Sequence, residues 1–203
     1  MLVLQGIAGV MMLLGLYERV GGFLLVMLFA LGIKSFGAIE MLDTLEMLGF
    51  ALYAMIVGRP KWSIAEIGFL QGVSHRIHAY GHPFLRVATG LNLIVLGFSE
   101  KILAPSLTAD FLSRYDWNFM QAAGIQWFTD YWFAFAAGVA EILFGIFFVL
   151  GIITRTTTIA LAVFLCASLV LLGPVELIGH LPHFSIAIVL LVLGSGSRLT
   201  LFR

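Results

Sequence analysis

Glu141 is the residue whose position calls for chemistry. It lies about ten residues into the otherwise apolar run Tyr131–Ile152, and helical rise of about 1.5 Å per residue sets it roughly 15 Å below one membrane surface. A bare carboxylate at that depth is costly, so Glu141 is either protonated or turned toward a partner or water inside a bundle. Lys101, near the outer end of the preceding apolar run, has a stem long enough to reach it. The pair reads in two ways: as an internal ion pair that fixes helix register, or as a proton-handling or ligand-binding carboxyl with its counter-ion.

A second cluster, Gly173-Pro174-Val175-Glu176 and then Gly179-His180-Leu181-Pro182-His183, stands at the outer end of the sixth apolar run. The His-x-x-His spacing suits one helical face, but Pro182 argues against a continuous helix there and leaves the mutual geometry open. Two imidazoles with an optional carboxylate leave metal ligands missing, so no metal site is assigned. The same groups can donate to and relay protons from a quinone head group while apolar helices receive its tail. Interfacial snorkelling or helix capping is the plainer role. A third set, His75-x-x-His78-x-x-x-His82, follows Arg59-Pro60-Lys61-Trp62 and fits an amphipathic segment lying on the membrane, with His82 set apart by Pro83.

Long apolar runs must position these groups. Of 203 residues, 61% are hydrophobic and 11% charged, and the mean hydropathy is +1.07, more apolar surface than a soluble domain of this size can hide. Runs that approach 20 residues occur at Val20–Ile39, Phe84–Ser99, Tyr131–Ile152 and Thr156–Val175. Shorter ones at Met1–Tyr17, Thr44–Gly58 and Leu181–Gly194 would need tilt or local thinning. The expectation is a polytopic all-α transmembrane bundle of about seven spans, with the first segment retained rather than cleaved as a signal peptide. Threading the chain back and forth gathers Arg19, Arg59, Lys61, Arg76, Arg86, Arg155, Arg198 and Arg203 on one side. Glu40, Asp43, Glu46, Glu100, Asp110, Asp116, Asp130 and Glu176 collect on the other. The basic side is cytoplasmic by the positive-inside rule, which places the carboxyl terminus inside and the protein in the plasma (inner) membrane.

Several function classes find no support. Eleven basic residues cancel eleven acidic ones, so no global field attracts nucleic acid. The single cysteine, Cys166, excludes a disulfide framework or a thiolate metal cluster and reads as packing. No dinucleotide fingerprint, Walker loop, nucleophile elbow or zinc-protease motif occurs. Between Leu103 and Asp130 the outer connection carries Phe111, Tyr115, Trp117, Phe119, Trp127 and Phe128, a density that suits an interfacial belt or a lid.

Sliding the sequence against itself aligns Val3–Gly58 with Val139–Gly194 at a constant offset of 136. Arg19 then meets Arg155, Glu40 meets Glu176, and Gly9, Gly15, Gly37 and Gly58 meet Gly145, Gly151, Gly173 and Gly194. Two Arg and two Glu in register are not expected of chance apolar alignment, so the chain reads as one complete four-helix unit and one incomplete parallel repeat. In these terms residues 1–58 form an incomplete three-helix repeat, 59–83 a cytoplasmic interfacial amphipathic connection, and 84–203 the four-helix unit. Gly145 and Gly151 are assigned to close helix packing within one helix, and Arg19 and Arg155 to anchoring at cytoplasmic helix ends.

The complete unit reads Arg86-x-x-x-Gly90, Gly97-Phe98-x-x-Lys101, an aromatic-rich connection, Glu141-x-x-x-Gly145 and Gly151-x-x-x-Arg155, then a closing helix pair. This resembles the DoxX family of small four-helix membrane proteins, from Arg86 to about Gly194. Its members include a subunit described as part of a terminal quinol oxidase and thiosulfate:quinone oxidoreductase system, and many proteins of no established activity. The resemblance implies a membrane subunit of a redox system near the quinone pool, with quinone as the cofactor class. Lys101, Glu141, Glu176, His180 and His183 are its outer polar constellation. The expected partners are the lipid bilayer and a redox subunit or further copies of the chain. The reading from a different class is a non-catalytic scaffold or small-solute permease whose buried charges are structural.

Overall fold

The computed structural model describes residues 2–13, 17–58, 75–196 and 199–201. Every element among them is helical, and no strand occurs. In order they are α1 (Leu2–Leu13), α2 (Glu18–Phe36), a 3₁₀ turn (Glu40–Thr44), α3 (Leu45–Val57), the single turn α4 (His75–His78) and α5 (Gly81–Leu96). A π-helical turn (Gly97–Leu103) extends α5, and α6 (Pro105–Tyr115), α7 (Phe119–Ala122), α8 (Asp130–Leu150), α9 (Thr154–Leu172) and α10 (Pro174–Leu193) follow. The seven apolar runs fall in α1, α2, α3, α5, α8, α9 and α10. Of these, α2 and α8 are individually long and apolar enough to cross a membrane, and α5 with its π turn qualifies when joined to α6, across a bend of 81°. Residues 59–74, most of the expected amphipathic connection, lie outside the described residues, as does the side chain of His75.

Local chemistry explains the boundaries. The Thr129 hydroxyl caps α8 by accepting from the Trp132 amide, and Asp130 sits in the first turn, where the helix dipole favours a negative charge. Proline at the first position starts both α6 and α10, where its missing N–H costs nothing. Two expectations change here. Pro182 does not interrupt α10, which runs unbroken through it. A proline removes one ladder bond, a loss that a helix packed in apolar surroundings tolerates. Gly151 is not a packing residue inside a helix. It is the left-handed carboxyl-terminal cap of α8, at φ 71°, with the Arg86 guanidinium where a Cβ would stand.

The helices assemble around a glycine seam. α5 and α8 cross with Gly90 against Gly145 and Gly97 against Gly138, and a Cβ on Gly90 would lie 2.6 Å from the Gly145 carbonyl oxygen. Such contact lets backbones approach where packing, not hydrophobicity, drives association. α3 lies along α5, α2 along α3 and α9 along α10. Leu85, Phe148, Ile186 and Leu190 form the buried core, with Met47, Phe50 and Tyr53 of α3 packed against it. The outward faces are apolar instead of charged: Val163 and Val170 of α9 and Ile188 and Val192 of α10 are all more than half exposed. A continuous apolar exterior of this kind suits lipid.

Candidate functional site

The polar groups of the interior fall into two separate pairs. The first is carried by the glycine seam. Because Gly97 and Gly138 bring the π turn onto α8, the Lys101 stem passes directly over Gly138 and its Nζ donates to Glu141 Oε2 at 2.8 Å. The charge assistance makes this a strong contact. It is not sealed, since the side chains keep 17% and 26% exposure. π-helical turns inside α-helices are frequent at functional sites, and this one presents Lys101. Beside it, Ser99 Oγ is buried without a hydrogen-bond partner among the described residues. The aromatic connection folds over the same end: α6 packs on α8 and on the π turn. Asn118 Nδ2 ties the segment down by donating to the Phe128 carbonyl at 2.9 Å and to Asp130 Oδ1 at 2.8 Å.

The second pair joins α3 to α10. Glu46 Oε1 lies 2.5 Å from His183 Nε2, and the glutamate side chain is only 7% exposed. Glu46 sits in the first turn of α3, where the dipole favours a carboxylate, and its amide donates to Asn92 Oδ1 of α5 at 3.4 Å. A cavity of about 80 Å³ adjoins the pair, lined also by Thr89, Thr158, Phe148 and Leu190. Glu46, one of the acids assigned to the outer side, is an interior residue.

Of the five constellation residues, the structure therefore brings Lys101 to Glu141 and His180 to His183, whose ring centres lie 5.2 Å apart. The side-chain bonds of Lys101 and Glu141 join them to each other and not to the histidines. The side chain of Glu176 lies outside the described part of the structure. Among the described residues, no group of three or more His, Cys, Asp or Glu is placed to hold a metal ion.

Arginines organise the opposite ends of these helices. Arg86, one of the charges assigned to the cytoplasmic side, is fully buried, donating from Nη1 to the Phe148 carbonyl at 2.7 Å and from Nη2 to that of Leu199. It thereby adds a second donor to a carbonyl in the last turn of α8 that also accepts from the Gly151 amide at 3.1 Å. Arg155 stands at the amino end of its own helix, α9, and caps its neighbour, bonding the Leu191 and Val192 carbonyls at the end of α10 at 3.1 and 3.0 Å. Arg19, at the amino end of α2, is buried against Gly58 with Nη2 3.3 Å from His78 Nε2. His82, expected outside the helix, is its second residue, because Pro83 falls in the first turn of α5 where proline is tolerated. Its ring packs on Tyr53 of α3.

Comparison with known proteins matches residues 81–174 to the DoxX family. The match begins at the start of α5 and ends at the first residue of α10. No curated protein and no solved structure matches the chain.

Proposed function

We propose that this DoxX-like membrane protein is a membrane subunit of a redox system working near the quinone pool, and that a quinone head group meets it at Lys101 and Glu141. The observation that carries this reading is the half-open ion pair on a π turn in an apolar setting. A carbonyl or hydroxyl of a ring can take up one of its hydrogen bonds, while the apolar outer faces of α5 and α8 receive a tail. The seven-span topology, the inner membrane, a cytoplasmic carboxyl terminus and the division into a three-helix repeat, a connection and a four-helix unit belong to the same proposal, supported by charge segregation and the offset alignment. Purification in mild detergent followed by extraction of bound lipid for mass analysis tests the function. Quinone should leave with the wild-type protein and be depleted from Glu141→Gln. A quinone-free wild type would remove the basis for the site.

A second reading, a scaffold or small-solute permease, draws support from the Glu46–His183 pair, which bridges the two helical units beside a cavity. Solute flux through the purified protein in liposomes, without bound quinone, would favour it.

A further inference from the structure

We infer that Glu46 and His183 form a proton-binding site in the bundle interior, which exchanges its proton through water in the adjoining cavity. The inference goes beyond the quinone reading, since it concerns other residues and another space.

Size selects the ligand. The cavity of about 80 Å³ is roughly half the ~150 Å³ that admits a benzene ring, whereas about two or three waters fit at ~30 Å³ each. Those waters need two to four polar partners apiece; the lining is mostly apolar, and its polar members are Glu46, His183, Thr89 and Thr158. Both threonine hydroxyls donate to carbonyls of their own helices, at 2.9 and 2.7 Å, so their oxygens remain acceptors. His183 spends Nε2 on Glu46, while Nδ1 is buried with no partner among the described residues. One ring nitrogen thus holds the carboxyl and the other is left for a proton donor or acceptor.

Position supports the same role. His183 is the tenth of the 20 residues of α10, midway along the helix. At the offset of 136, Glu46 aligns with Pro182, so the pair joins α3 and α10 at matching levels. Proteins built from internal repeats hold coupling ions at such a junction. The groups around the pair are few. α5 brings Asn92 and Thr89, α9 brings Thr158 and α8 brings Phe148, none of which titrates. His180 is the titratable neighbour on α10. Lys34 of α2, Glu40 and Asp43 of the 3₁₀ turn, and Arg86 of α5 do not line the cavity. A proton delivered by a hydronium ion adds to the carboxylate–imidazole pair as an N–H or O–H, leaving water behind. No electron moves.

Imidazole nitrogen shifts of the full chain, ¹⁵N-labelled at histidine and held in lipid nanodiscs, test the site. His183 should pass between neutral and charged forms over the pH range in which the protein stays folded. At a fixed pH within that range, Glu46→Gln should cut its charged-to-neutral ratio by about tenfold, because the stabilising carboxylate is gone. Ala187→Leu fills the cavity and leaves both groups in place, so exchange of the His183 N–H with water should slow by about tenfold. A His183 fixed in one form across the range overturns the site, as does identical titration in Glu46→Gln. Unchanged exchange in Ala187→Leu overturns the role of the cavity. Should Glu46→Gln fail to fold, the carboxyl infrared band of the wild-type protein labelled with ¹³C at glutamate decides instead: a band that tracks the His183 transition supports the site, and a static one overturns it. Quinone content enters neither readout, so the two proposals fail separately.

Discussion

The two interior pairs use the same charges to different ends. Lys101–Glu141 sits on a π turn pressed to α8 by paired glycines, with a quarter of the glutamate side chain still exposed. Glu46–His183 is more enclosed at its carboxylate, joins α3 to α10, and has an imidazole in place of the lysine. An open pair with a permanent cation can trade a hydrogen bond with a ligand. A pair whose carboxylate is enclosed, with an imidazole partner and a small cavity beside it, can trade a proton.

Stability measurements can break this contrast. The largest loss should follow His183→Leu, which strands the buried Glu46 carboxyl without its nitrogen partner; removing one partner of a buried pair costs roughly 3–5 kcal/mol. Lys101→Met should cost less, about 1–3 kcal/mol, because water or lipid head groups can still reach Glu141. Thermal melts in one detergent rank the two, and the reverse order would mean that the exposures do not govern the pairs. Glu141→Gln should be milder again, about 1 kcal/mol, since the amide keeps an acceptor for Lys101. The smallest change is expected for Arg155→Gln, at most about 1 kcal/mol, because its bonds to the end of α10 are exposed. If Arg155→Gln melted as early as His183→Leu, the helix-end caps and not the interior pairs would be holding the bundle.

The sequence was informative where local pattern decides and silent where tertiary contact does. All seven apolar runs became helices, since hydrophobic length is a property of the segment itself. The Lys101–Glu141 contact was legible because an isolated charge in an apolar run has few partners within reach. Glu46 was not: it stands at the edge of a short run, and packing of α3 along α5, with α10 beside it, makes it interior. The burial of Arg86 was not legible for the same reason. Its partners, Phe148 and Leu199, lie 62 and 113 positions away in the chain. Pro182 shows the opposite error, in which a local rule taken from water was overridden by packing.

Photocrosslinking with an azido-quinone, followed by peptide mapping, tests directly whether the open pair is the one that meets a ligand. Label should enter the π turn at residues 97–103 or the facing stretch of α8 around Glu141, and Glu141→Gln should lower the yield about tenfold, the equivalent of ~1.4 kcal/mol. Label confined to α3 and α10 around Glu46 and His183, or equal labelling in the variant, would contradict the division of roles between the two pairs.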